Sequence, residues 1–344
     1  MTTAPPIRVL VVDDSAFARK VLRESLSVSP RIEVVGTARD GLEALEKIAE
    51  LKPDVVTLDL VMPNLDGLGV LRALPPGAGP RVVIVSISDS ESELVIEALQ
   101  SGAVDLVQKP TALATDRLYE LAGELVAKVL TAAGARPYPP APASAPSRVL
   151  LPSRSGVRLV VIGTSTGGPQ ALTRLLTALP AGLPCAVAVA LHIPAGYTDA
   201  LARRLNEACA VEVFEASEGA ELRAGSVAIA QGGLHLRVEA DADGQTLRTR
   251  VGVHPASAPF LPSVDVLFES VAALGPAVLG VVLTGMGHDG LEGARAIRRA
   301  GGAILTEAEA SCVVYGMPRA VKEADLSSGE APIEEMADAI LRRL

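Results

Sequence analysis

The sequence predicts an α/β protein built of two doubly wound units in series. Three observations carry that prediction. Apolar runs of strand length alternate with amphipathic stretches of helical length along most of the chain. The alternation breaks at residues 131–156, where Pro and Ala dominate and no apolar period survives. The apolar residues are almost all aliphatic. With four Tyr, four Phe and no Trp in 344 residues, the core is built from Ala, Val, Leu and Ile, as buried parallel strands are.

In the first unit the strands are expected at Ile7–Val12, Glu33–Ala38, Asp54–Asp59, Arg81–Ser86 and Val104–Val107. Helices are expected near 15–28, 41–51, 67–74, 90–101 and 115–130. Five such repeats imply a five-stranded, flavodoxin-like parallel sheet over residues 1–130, with ligands beyond the carboxyl ends of the strands. Residues 131–156 form a Pro/Ala-rich linker that carries three Arg and no acid. In residues 157–344, strands are expected at Arg158–Ile162, Cys185–Leu191, Val227–Ala230 and Ala277–Thr284. Helices are expected at Gln170–Leu179, Tyr197–Ala208, Val264–Ala273 and Gly290–Ala300. Leu234–Glu239 and Thr246–Val251 flank Asp243–Gly244 as a hairpin. The sheet of this second unit is expected to be mostly parallel.

Composition narrows the function. The formal charge of −9 argues against broad binding to nucleic acid or to an anionic membrane. Cys185, Cys209 and Cys312 are scattered, without C-x-x-C spacing, and read as core thiols. The N-terminus shows no signal peptide, and the uncharged stretch between Arg174 and Asp199 is interrupted by prolines, so neither secretion nor membrane insertion is expected. A cytoplasmic protein is the reading.

In the first unit, acidic groups collect at strand ends. Asp13 and Asp14 follow the first strand, Asp59 the third, Ser86 the fourth, and Lys109–Pro110 the fifth. A parallel sheet gathers them at one edge. Three carboxylates together repel, and a hard divalent cation such as Mg²⁺ relieves that repulsion through oxygen ligands. A neighbouring Lys and hydroxyl then suit a phosphoryl group. A single strand-end Asp would be only a turn former or helix cap; this set is more than that.

The runs VVDDS (11–15), TLDLVMPNLDG (57–67), VSIS (85–88) and VQKP (107–110) resemble the response-regulator receiver family over about residues 7–125. The resemblance implies that Asp59 accepts a phosphoryl group from a chemotaxis histidine kinase. Asp13, Asp14, Asp59 and the Val61 carbonyl would hold Mg²⁺. Ser86 and Lys109 would contact the phosphoryl group, and Lys109–Pro110 is a candidate cis bond. Leu106 stands where the family often has a switching aromatic.

In the second unit, a predicted strand runs into Gly163-Thr164-Ser165-Thr166-Gly167-Gly168-Pro169 and then a helix. This G-x-S-x-G arrangement fits a nucleophile elbow, a phosphate-cradling loop or a plain tight turn. A Ser nucleophile needs a base and an orienting acid. His192 ends a strand and Asp289 lies in a glycine loop after another, so both can gather beside Ser165. His235 alternates with Leu234 and Leu236 and is expected to face solvent, and His254 sits in a loop. An α/β-hydrolase order would instead need Ser165, Asp265 and His288, but Asp265 falls in a helical stretch.

The runs GTSTGGPQAL (163–172), LHIPAGYTDALARRL (191–205), PSVDVLFES (262–270), LTGMGHDG (283–290) and SCVVYGMPRA (311–320) resemble the chemotaxis protein-glutamate methylesterase family. The resemblance implies attack by Ser165 on glutamyl γ-methyl esters of methyl-accepting chemoreceptors. His192 would be the base and Asp289 its orienting acid, with oxyanion donors near Met286 and Thr166. It also implies deamidation of selected receptor glutamines, and no cofactor for the ester chemistry. Three positions depart from the family's common runs: Gln231, Glu307-Ala308 and Thr164. A receiver packed across the cleft would restrain the esterase until Asp59 is phosphorylated. A helix-turn-helix output would need basic character, and residues 157–344 carry 15 basic against 21 acidic groups. A non-catalytic receptor-docking protein and an unrelated serine esterase remain as other readings.

Overall fold

A computed structural model describes residues 5–75, 77–86, 91–109, 115–137, 156–242 and 244–344. Most of the Pro/Ala-rich linker lies outside the described residues, as do Pro110 of the Lys109–Pro110 bond and residues 87 and 88 of the VSIS run. The chain divides into two compact units, Met1–Pro140 and Ala141–Leu344.

The first unit alternates strands and helices: β1 (Ile7–Val12), α1 (Ala16–Leu26), β2 (Ile32–Ala38), α2 (Gly41–Leu51), β3 (Val55–Leu58), α3 (Gly67–Ala73), β4 (Arg81–Ser86), α4 (Ser92–Gln100), β5 (Asp105–Gln108) and α5 (Thr115–Ala133). The sheet is parallel, in the order β2-β1-β3-β4-β5. This is the flavodoxin-like order, and its switch point lies between β1 and β3. Val9, Leu10, Val11 and Val12 are all buried, as continuous apolar runs are when helices cover both faces. Ser15, Asp40 and Asp66 cap α1, α2 and α3 by accepting backbone N–H groups of the first turn. Helix α5 continues to Ala133, three residues into the stretch read as linker.

The second unit holds β6 (Leu159–Thr164), α6 (Gly168–Thr177), β7 (Ala186–Leu191), α7 (Thr198–Ala208), β8 (Glu212–Glu215), β9 (Glu221–Leu222), β10 (Ser226–Ile229), β11 (His235–Ala240) and β12 (Leu247–Gly252). There follow α8 (Val264–Val271), a 3₁₀ turn, β13 (Val278–Val282), α9 (Leu291–Arg299), β14 (Ala303–Glu307), α10 (Met317–Glu323), β15 (Glu330–Ala331) and α11 (Ile333–Leu341). Seven strands pair in parallel in the order β15-β14-β13-β6-β7-β10-β8. From β6 the chain passes to β7, goes out to the edge strand β8 and comes back between them as β10, then returns to the other side of β6 as β13. The switch point therefore falls between β6 and β13. Strands β11, β12 and β9 make a small antiparallel sheet.

The interior of this unit is aliphatic, as the composition requires, with Phe268 fully buried in it. Gly280 makes room there: a Cβ on it would sit 2.4 Å from Ile304 Cδ1 and 3.3 Å from the Phe268 ring. His235 departs from the sequence expectation. It is buried, only 1% exposed. Its Nδ1 accepts the Ser263 N–H at 3.2 Å and its Nε2 lies 3.2 Å from the Pro255 carbonyl. A loop covers the face of the hairpin that alternation alone would leave open. Burial lowers the affinity of this imidazole for a proton.

Candidate active site and phosphoacceptor site

Strand β6 ends at Thr164, which pairs with Leu191 at the end of β7. Ser165 and His192 are thus the next residues on two adjacent parallel strands. The Thr164 carbonyl accepts the His192 N–H at 3.1 Å. The turn after Ser165 is tight: its carbonyl accepts the Gly168 N–H at 2.7 Å, and Gly167 takes φ +80°. The neighbouring glycines also satisfy packing. A Cβ on Gly168 would lie 2.5 Å from Leu191 Cδ1, and one on Gly163 would lie 2.2 Å from Val264 Cγ1. Pro169 opens α6, where its missing N–H costs nothing.

His192 Nε2 lies 2.7 Å from Asp289 Oδ2. The imidazole stacks on Phe260, with ring centroids 4.2 Å apart at 16°. His192 Nδ1 is buried and has no hydrogen-bond partner among the described residues. Since a carboxylate only accepts, Nε2 carries the proton in the neutral ring and Nδ1 carries the lone pair.

Asp289 follows β13 and is held from several sides. Its Oδ1 accepts the Ser263 hydroxyl at 3.0 Å, the Asp265 N–H at 2.9 Å and the Gly290 N–H at 3.1 Å, and its Oδ2 accepts the Val264 N–H at 2.7 Å. Burial pushes this carboxyl up, but the bonds from His192 and from the backbone of Asp265 and Val264 outweigh it and hold the pKa at about 2. Asp265 behaves in the opposite way. Burial, joined by the neighbouring Asp289 charge, raises it to about 6 against the pull of the Gly293 N–H. Ser263, Val264 and Asp265 were not singled out from sequence as partners of Asp289. The readable signal was Ser263 as the N-cap of α8, a position that aims three donors outward.

The hydrolase-order alternative is not assembled. Asp265 accepts the Gly293 N–H at 2.7 Å, and His288 is exposed. The loop between β13 and Asp289 carries Met286, 40% exposed, while Thr166 beside Ser165 is buried. A Cβ on Gly285 would lie 2.9 Å from Ser165 Cβ, so this loop backs directly onto the serine.

In the first unit, Asp13 and Asp59 are buried and Asp14 is exposed, with one carboxylate oxygen of each lying within 4.8 Å of the others. Lys109 Nζ lies 2.6 Å from Asp13 Oδ2 and 2.7 Å from Asp59 Oδ2. Burial raises the Asp59 pKa, against the Lys109 charge. Burial alone would lower Lys109, but the Asp59 and Asp13 charges outweigh it and its pKa is raised. Three carboxylates against one ammonium leave the cluster net negative, with hard oxygen donors on an open side at Asp14. That donor set fits a divalent cation such as Mg²⁺. The exposed Val61 follows two residues after Asp59, its N–H 3.4 Å from Asp59 Oδ1. Ser86 is buried and donates its hydroxyl to Glu91 Oε2 at 2.5 Å, a partner the sequence did not suggest. Leu106 is buried, and its carbonyl accepts from Lys128 Nζ.

The family model for the CheB methylesterase matches residues 160–340, and that for the response regulator receiver domain matches residues 9–121. The chain belongs to the CheB methylesterase family. A protein-glutamate methylesterase/protein-glutamine glutaminase of Myxococcus xanthus is 64% identical over all of this chain and 99% of its own length. A relative of the same name from Symbiobacterium thermophilum is 46% identical over 98% of this chain and 97% of its own length. Among solved structures, the Thermotoga maritima CheB methylesterase catalytic domain covers 55% of this chain and 99% of its own, at TM-score 0.53 and 32% identity. The chain joins a receiver to an α/β esterase unit. Among the described residues no helix is long and apolar enough to cross a membrane.

Proposed function

We propose that this chain is a phosphorylation-regulated serine hydrolase of chemotaxis adaptation. It removes methyl groups from glutamyl γ-esters of methyl-accepting chemoreceptors and deamidates selected receptor glutamines, in the cytoplasm. The observation that carries the reading is the His192–Asp289 pair, with His192 on the strand end next to that of Ser165 and its other imidazole nitrogen unengaged among the described residues.

Ser165 attacks the ester carbonyl. His192 Nδ1 takes the hydroxyl proton, while Asp289 orients the ring through Nε2–H and stabilises the imidazolium. In this reading backbone N–H groups near Met286 and Thr166 donate to the developing oxyanion, and one such donor is worth about 10²–10³ in rate. His192 then gives the proton to the departing methoxide oxygen, which leaves as methanol, or to the amide nitrogen, which leaves as ammonia, and an acyl ester on Ser165 remains. Water, activated by the same imidazole, then releases the receptor carboxylate. None of these steps requires a cofactor.

In the receiver, Asp13, Asp14, Asp59 and the Val61 carbonyl would hold Mg²⁺, which neutralises charge during phosphoryl transfer. A chemotaxis histidine kinase donates the phosphoryl group to Asp59, and Lys109 and Ser86 contact it. The receiver restrains the esterase until Asp59 is phosphorylated. The domain limits that go with this reading are 1–130, 131–156 and 157–344.

The test is methanol release from methylated chemoreceptor, with and without Mg²⁺ and a small phosphodonor. Wild-type release should rise with phosphodonor. Ser165→Ala should abolish release and Asp59→Asn should remove only the rise. Removing residues 1–150 should raise basal release; a folded truncation with unchanged activity refutes the restraint.

A further inference from the structure

Gly167 and Gly168 follow Ser165 in its turn and resist backbone distortion less than other residues would, so the turn does not fix the hydroxyl by itself. Something outside the turn has to do so, and the hydrogen bonds converge on one residue of the neighbouring strand end. Thr284 is fully buried two residues beyond the end of β13. Its carbonyl accepts the Thr164 hydroxyl at 2.8 Å and the Ser165 N–H at 3.1 Å. Its own hydroxyl donates to the Thr166 carbonyl at 3.0 Å and accepts the Val314 N–H at 2.9 Å. Three consecutive residues centred on the serine are thus tied to one side chain and its carbonyl.

Thr284 is itself anchored. Its N–H donates to Glu307 Oε2 at 2.8 Å, and Glu307 is fully buried at the end of β14. Glu307 Oε1 accepts the Ser311 hydroxyl at 2.9 Å, and Ser311 Oγ accepts the Ile333 N–H at 2.9 Å. The chain of bonds runs from the start of α11 through two strand ends to the serine turn.

We infer that Thr284, anchored by Glu307, is the positioning residue that fixes the Ser165 turn for reaction. This rests on the reading of Ser165 as nucleophile. Thr284 touches no reacting atom. It acts by holding Ser165 N–H and the Thr166 peptide, where displacement on the scale of an ångström costs on the order of 10²-fold in rate.

The experiment uses the full chain with methylated chemoreceptor, and a fluorophosphonate as probe of the serine. Thr284→Val keeps the shape and removes the hydroxyl. Its kcat should fall 10- to 100-fold with KM close to wild type, and fluorophosphonate labelling should slow in proportion. Thr284→Ser, which restores the hydroxyl, should recover both. A merely structural Thr would lower the melting temperature and leave the kcat of the folded fraction intact; that result overturns the inference. Should Thr284→Val not fold, Thr164→Val decides: a several-fold loss of kcat at constant KM supports the inference, and wild-type kcat overturns it. Ser165→Ala run alongside separates the two readings. Release that survives in Ser165→Ala refutes the nucleophile itself, whereas its loss there with full activity in Thr284→Val refutes only the positioning role.

Discussion

Asp289 meets His192 through Oδ2 at 2.7 Å while four other donors, three of them backbone N–H groups, grip the same carboxylate. The carboxylate is therefore fixed before the imidazole charges. Asp289→Asn replaces one acceptor oxygen by an NH₂ group that must face N–H donors. Turnover should drop by about 10³–10⁴, with added loss of stability, since a buried donor left unpaired costs about 1–3 kcal/mol. Steady-state methanol release and thermal melting of the same sample check both effects.

Gly285 gives a steric test of the serine's surroundings. A Cβ there would meet Met317 Sδ at 2.3 Å and Ser165 Cβ at 2.9 Å. Gly285→Ala should lower kcat by on the order of 10²-fold through displacement of the serine. Fluorophosphonate labelling of the folded variant reads it. Gly287→Ala tests something else: no neighbour among the described residues lies within 4 Å but φ is +80°, so strain, not collision, is expected to lower its melting temperature.

Asp265 ties stability to pH. Its folded pKa, about 6, lies above the ordinary 3.8, so folding favours its protonated form. Its destabilising contribution is therefore full above pH 6 and is relieved as pH falls from about 6 towards 3.8. Asp265→Asn keeps an oxygen for the Gly293 N–H and removes the charge beside Asp289. It should stabilise the protein at pH 7–8 by about 1–2 kcal/mol after allowance for solvent screening. The gain should vanish below about pH 4. Asp289 runs the other way: with a folded pKa of about 2, its stabilising contribution is present above 3.8 and lost as pH falls towards 2. Denaturant midpoints across pH 3–8 test both signs.

Lys109 already sits between Asp13 and Asp59, so a divalent cation entering the proposed site would meet an ammonium there. Lys109→Ala should tighten Mg²⁺ binding on the order of tenfold, because an adjacent like charge at these distances costs about 1 kcal/mol or more. Titration calorimetry measures it. The same variant should lose its response to phosphodonor.

Chelation separates the two units' chemistry. Added EDTA should abolish the phosphodonor-dependent rise in methanol release and leave basal release unchanged.

Much of the fold was legible because the strands that frame the sites are continuous apolar runs. Ile7–Val12 and Arg81–Ser86 have the bounds expected from sequence. The strands not anticipated include the interior strand Ala303–Glu307 as well as short ones at the rim. Glu212–Glu215 mixes charge with apolar residues, and Glu330–Ala331 is two residues long, too short for any period to register. The residues proposed for chemistry were legible as types at strand ends. What holds them was not. Thr284, Ser263 and Phe260 act through backbone groups and ring faces, and sequence spacing does not encode which carbonyl a buried hydroxyl will find. His235 shows the same limit from the other side: alternation marks a face, not what later covers it.

Ser165 and His192 are rooted on neighbouring strands whose pairing continues to the last residue before each of them. Their separation is inherited from the spacing of the sheet, and no rearrangement of surface loops can stretch it without breaking the strands apart. A regulator acting on such a centre has little leverage over the reacting groups themselves. What it can govern is traffic: whether a receptor side chain reaches the strand ends at all.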